Sequence, residues 1–246
     1  MVKIQFSKTE IINLVLAAIV IGFLFSFKSF SINYITSVIN WIKYSIFGLV
    51  ALVIYILAQK LTAKRFNAQV EYRIWNIKRF WFTNELSFEV PLGLILALLL
   101  IFLTNGAFIF LAISSFAVVR KHVAHKIGRI FPRVTEIELA KIAVVGPLTS
   151  IILVLLLTSL KLVNVDFGVF ISMNLFLALY NMIPVSQLDG LKVYIGSRTL
   201  FVLTAVFLIA FGILLTQGLN SLLVLILSIL TAVVLTVLYF YYREFK

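Results

Sequence analysis

Apolar residues run through this chain in uncharged stretches of membrane length separated by basic segments, and the lengths of those stretches predict its elements. About 17 to 25 such residues cross a bilayer core as a helix. The first stretch, 11–27, is too long for a signal peptide and lacks a small-residue cleavage site, so it is expected to be a retained helix. The second is centred on 44–59, with Lys43 and Lys60 placed to snorkel from its ends. A basic connector, 60–89, comes next, in which Trp75, Phe80, Trp81 and Phe82 alternate with Arg73, Lys78 and Arg79. Rings mixed with cations belong at headgroup level, so this segment is expected along the membrane surface. Further spans are expected at 142–160 and 167–187. The uncharged run 199–242 is divided by Gln217-Gly218-Leu219-Asn220 into a C-terminal helix pair.

The stretch 90–119 is longer than one span needs and too short for two, and Asn105-Gly106, a turn signal, sits near its middle. Two half-length helices joined there would make a re-entrant hairpin, which requires a turn packed inside protein. Charge decides for it. With a hairpin, the cluster Arg120, Lys121, Lys126, Arg129 and Arg133 shares one side with Lys60, Lys64, Arg65, Arg73, Lys78 and Arg79; all but Lys28, Lys43 and Lys161 of the 21 basic residues are then cytoplasmic. The expected architecture is an all-α polytopic membrane protein of about six transmembrane helices plus the hairpin, with both termini cytoplasmic. Thr135 and Glu138 have the spacing to cap the helix that leads into 142–160.

Composition agrees. Hydrophobic residues make up 63% of the chain and charged residues 12%, with a mean hydropathy of +1.14, far from the quarter of charged residues usual in soluble domains. Too little chain lies between the apolar runs for a separate soluble domain, so 1–246 is read as one membrane domain in contact with lipid. The absence of cysteine excludes disulfides and thiolate metal sites. The net charge of +12 is explained by basic loops, and with no soluble basic domain nucleic-acid binding is not expected.

Chemistry concentrates between Asn174 and Gly190. Asn174 and Asn181 lie seven residues apart on one helical face, the run breaks at Pro184, and it ends on Leu188-Asp189-Gly190. An ionisable residue at the end of such a run is presumed functional. It also suits a turn, with Lys192 close enough to pair with it. For the two asparagines, hydrogen bonding between helices is the ordinary use. His122 and His125 could chelate a metal at i and i+3, but Arg120, Lys121 and Lys126 surround them, and a solvated basic segment is the expected reading.

The pattern N-x-x-P-x-x-x-L-D-G at 181–190 resembles the C-terminal signature of the site-2 protease family (peptidase M50) of intramembrane zinc metallopeptidases. Gly146-Pro147-Leu148-Thr149-Ser150 is similar to the family's G-P-L-x-N, with Ser150 where Asn is usual. The latter half of the segment Leu57 to Phe66 resembles the residues C-terminal to the family's zinc-binding helix. The resemblance implies a site-2 protease-like core, with the zinc-helix equivalent at 44–66, the G-P helix at 142–160 and the N-x-x-P/L-D-G helix at 167–190. It also implies that Asp189 stands at a zinc-ligand position and that Asn181, Asp189 and Pro184 border a groove for a substrate or partner segment.

Laid over the family's H-E-x-x-H, the chain reads Tyr55-Ile56-Leu57-Ala58-Gln59. In that motif two His one turn apart hold zinc and the Glu is general base to its bound water. A protonated phenol and an amide are poor zinc ligands, and Ile56 cannot take a proton. No catalytic residue, cofactor or metal is therefore expected. If the geometry persists, Tyr55, Gln59, Asn181 and Asp189 are expected to form a polar cluster where the family has zinc. The function expected is that of an inactive site-2 protease-like protein binding partner transmembrane segments, as a regulator, an assembly factor or a subunit of a larger membrane complex. The alternatives are a working zinc metalloprotease with displaced ligands and, third, a transporter, for which the spans lack paired interior charges.

Overall fold

A computed structural model describes residues 5–27, 34–79, 85–121, 134–160 and 165–244. His122, His125, Lys126, Arg129, Arg133, Lys28, Lys161 and the aromatic run 80–82 lie outside the described residues. The chain is mostly helical, in the order α1 (Lys8–Ser26), α2 (Tyr34–Arg65), β1 (Ala68–Ile74), β2 (Ile77–Arg79), β3 (Glu85–Val90), α3 (Leu92–Leu103), β4 (Ser114–Lys121), α4 (Glu136–Ser159), α5 (Val165–Asn181), α6 (Asp189–Gly196), α7 (Arg198–Thr216) and α8 (Ser221–Glu244). Among the described residues five helices, α1, α2, α4, α7 and α8, are long and apolar enough to cross a membrane; α5 is shorter, at 17 residues.

The helix ends obey local rules. Ser7 and Glu10 form a capping box on α1, and Thr135 and Glu138 form the one expected on α4. Helix α5 stops at Asn181, three residues ahead of Pro184, because a proline disfavours helical backbone in the residue before it. The expected segment 167–190 thus comprises two elements separated by a loop around Pro184, with Asp189 opening the separate short helix α6. The C-terminal apolar run divides where expected, at Gly218 with φ +69.

Three further expectations are corrected. The fold is not purely α: β1 pairs antiparallel with β4, from Ala68 opposite Lys121 to Ile74 opposite Ser114, and β2 pairs with β3. Stretch 90–119 does turn at Asn105 and Gly106, with φ 48 and 79, but only its first arm is helical. The twelve residues of α3 rise about 18 Å, and extended chain regains that distance in about six residues, so the return needs no second helix. Ser114–Lys121, rich in β-branched and aromatic residues, then completes the sheet with β1.

The connector is the third. Helix α2 runs on to Arg65, and β1 alternates buried Ala68, Val70, Tyr72 and Ile74 with less buried neighbours. Period-two burial is what a strand with one face on a core produces. Trp75 is 5% exposed and packs with Ala112 and Leu188 rather than standing at a surface. The sheet therefore lies against the helices, and its Ser114 end reaches the loop between α5 and α6.

Candidate functional site

The site assembles from α2, α4, α5, α6 and β4 around Asp189, which is wholly buried. Tyr55 and Gln59 are one helical turn apart and so share a face of α2. The Tyr55 hydroxyl donates to Asp189 Oδ2 at 2.6 Å, and Gln59 Nε2 donates to the same oxygen at 2.8 Å. Lys192, one turn along α6, reaches Asp189 Oδ1 at 3.2 Å. Hydrogen bonds to a charged acceptor contribute about 1.5 to 3 kcal/mol each, so these three contacts offset a substantial part of the cost of burying the carboxylate.

Two glycines permit this approach. A Cβ on Gly146 would overlap the Tyr55 ring and stand 2.8 Å from Gln59 Nε2, so the Gly-Pro motif of α4 lets α2 lie close at the depth of the site. A Cβ on Gly190 would collide with the Met182 carbonyl, so this glycine lets the start of α6 fold back on the end of α5. Both motifs singled out in the sequence thus act through what their glycines lack.

Asn181, also wholly buried, donates to Ser114 Oγ of β4 and stands beside the Tyr55 hydroxyl, while its own Oδ1 has no partner among the described residues. Asn174 does not join the cluster; its amide donates to the Phe170 carbonyl within α5 at 2.9 Å. Pro184 is exposed in the α5–α6 loop. Ile56 is packed in the apolar core.

The strands add residues that no local sequence pattern selects. Ser115 Oγ donates to the Gln187 carbonyl at 2.6 Å and accepts from Lys192 Nζ at 3.2 Å. Lys192 lies 3.8 Å from the centre of the Phe116 ring, a cation–π contact. Burial draws its ammonium pKa down, against the pull of Asp189. Opposite Phe116 on β1, the buried Tyr72 phenol is held far above its usual pKa by burial and then by Asp189. The signal for these contacts lay in the Ser114-Ser115 start of a strand that reads equally well as half a helix.

A second polar knot lies at the other end of the α2 turn. Glu10, 1% exposed, accepts from Lys60 Nζ at 2.8 Å and from the Tyr72 amide at 2.9 Å, tying α1, α2 and β1 together. Lys60 also donates to the Gln5 carbonyl and lies over Phe6. A cavity of about 150 Å³ adjoins it, lined by Lys64, Gln69 and Glu71 among others.

Zinc is the group a metallopeptidase resemblance implies, and this donor set does not fit it. A zinc centre takes three or four deprotonated N, O or S ligands. Here one carboxylate is present. The phenol and the amide turn their hydrogens toward it, and an ammonium occupies its other oxygen. Among the described residues no three His, Cys, Asp or Glu side chains stand together.

Fold and site define a mostly helical protein with several helices long and apolar enough to cross a membrane, whose wholly buried aspartate is clasped by two positions one turn apart on a neighbouring helix. The chain is similar to a protein of Methanocaldococcus jannaschii named "Putative zinc metalloprotease": 29% identity over 196 residues, covering 77% of this chain and 85% of the relative. No family model matches the chain, and no solved structure matches it.

Proposed function

We propose that this protein is a site-2 protease-like membrane protein without catalytic activity, which uses the scaffold to hold transmembrane segments of partner proteins as a regulator, assembly factor or complex subunit. The observation that carries the reading is the occupation of Asp189 by Tyr55 and Gln59. These are the two positions that the family motif gives to zinc-binding His, and here they supply hydrogen-bond donors. Ile56, at the position of the general base, has no proton-accepting atom. The binding surface for a partner segment is proposed at the exposed α5–α6 loop around Pro184, beside the buried Asn181 and Asp189.

The similarity to a protein named as a metalloprotease favours a second reading, an active enzyme with ligands drawn from elsewhere in the chain. Metal content separates the two. Protein purified in mild detergent is expected to contain no stoichiometric zinc and to leave transmembrane substrates uncut. Elemental analysis giving about one zinc per chain, lost in Asp189→Ala, would establish the second reading instead.

A further inference from the structure

The cavity of about 150 Å³ beside the Glu10 and Lys60 knot takes its walls from the Phe6-Ser7 approach to α1, the last turns of α2 and the start of β1. Lys60 and Lys64, one helical turn apart, belong to the α2 wall, and Gln69 and Glu71 to the β1 wall. Lys60 is already paired, since Glu10 and the Gln5 carbonyl take its ammonium at 2.8 and 2.7 Å. Lys64 and Glu71 are different. Both are half-buried, and among the described residues the side chain of neither has a hydrogen bond or an ion pair. Two opposite charges thus line one cavity without meeting each other.

That arrangement selects a ligand. A simple anion drawn to Lys64 is repelled by Glu71, and a simple cation meets the reverse. A molecule carrying both signs satisfies both walls, with phosphate oxygens accepting from Lys64 and the Gln69 amide and a primary ammonium donating to Glu71. Depth selects its source. Helix α1 begins at Lys8 and the uncharged run of α2 ends at Lys60, so the cavity lies where these candidate spans pass from hydrocarbon to headgroups. Val119 at the cavity is 42% exposed, and Ile11, Ile12 and Leu61 on the two helices are 49%, 57% and 55% exposed, which leaves apolar surface for lipid tails.

We propose that this cavity binds the zwitterionic headgroup of an ethanolamine phospholipid, with Lys64 and Gln69 on the phosphate and Glu71 on the ammonium. The site shares no residue with the Asp189 cluster, and the inference does not depend on whether that cluster belongs to an enzyme or to an inactive scaffold. A headgroup held there bridges α2 and β1, so its binding favours the folded state and is read as a gain in thermal stability.

The test melts delipidated protein in detergent against graded amounts of phosphatidylethanolamine, phosphatidylcholine and phosphatidylglycerol with identical short tails, and against free phosphoethanolamine. The ethanolamine lipid is expected to bind at least about fivefold more tightly than the other two, because a choline has no N–H to donate to Glu71 and a glycerol headgroup brings no positive charge. Free phosphoethanolamine should bind more weakly than the lipid; equal binding would assign the same chemistry to a soluble zwitterion and overturn the lipid as its source. Glu71→Gln loses no partner, so its melting temperature without lipid should match the wild type. In that variant the order is expected to reverse, with phosphatidylglycerol binding best, and Lys64→Met is expected to weaken both lipids. A purely structural role for either residue would leave the order of headgroups unmoved. Equal affinity for the three headgroups in the wild type, or an unchanged order in a Glu71→Gln variant that melts cooperatively, overturns the proposal.

Discussion

Tyr55 shows how a residue can keep a geometry while changing its chemistry. Its hydroxyl and the Gln59 amide meet one oxygen of a carboxylate 134 and 130 residues further along the chain. Removing only the hydroxyl, in Tyr55→Phe, takes a donor from a buried charge. That change is expected to cost about 1.5 to 3 kcal/mol, measured as the shift in a denaturation midpoint in mixed micelles, whereas Leu57→Ile on the same helix should cost less than half as much. The clasp was legible through the family resemblance, which sets positions 55 and 59 opposite 189, and through the i and i+4 spacing, which fixes a shared face whatever side chains occupy it. Ser114, Ser115 and Tyr72 were not, since strand residues reach the site only through a pairing register that no local pattern specifies.

Elements were legible where length or capping decides and illegible where two secondary structures satisfy the same composition. Thr135 and Glu138 announced the start of α4 correctly. The capping box at Ser7 and Glu10 carries the same spacing, yet nothing in its four residues says that the glutamate would also be the buried partner of Lys60 and of the β1 backbone. The return arm after Asn105-Gly106 reads as helix in the sequence because an apolar run buried on both sides has no diagnostic period. At this scale Glu10→Gln is informative. It leaves Lys60, 6% exposed, without its counter-charge, and losses from breaking buried pairs run at about 3 to 5 kcal/mol. Unfolding of the purified variant should show a loss of that order, while Glu136→Gln in the first turn of α4 should be nearly silent.

For the whole molecule, the sequence indicated a membrane protein and the places of its apolar helices; the side of the membrane on which each end lies is inferred only from charge bookkeeping. That bookkeeping expects six crossings, a re-entrant hairpin turning at Asn105-Gly106 and cytoplasmic termini. The native chain has no cysteine, so single cysteines at positions 78 and 126 can be labelled separately; both should react from the cytoplasmic side, and labelling from opposite sides would remove the hairpin. The clasp on Asp189 has a further consequence, in time rather than in space. A ribosome delivers Tyr55 and Gln59 long before Asp189, and contacts closing so large a loop form late because their entropy cost falls due before the contact does. The Glu10 and Lys60 knot closes a loop of only 50 residues and is ready first. Asp189→Asn should therefore quicken unfolding and leave the folding rate almost unchanged in micelle kinetics, while Glu10→Gln slows folding. Helices α1 and α2 with β1 then form the early template, and the aspartate acts as the latch by which the last-made third of the chain is fastened to it.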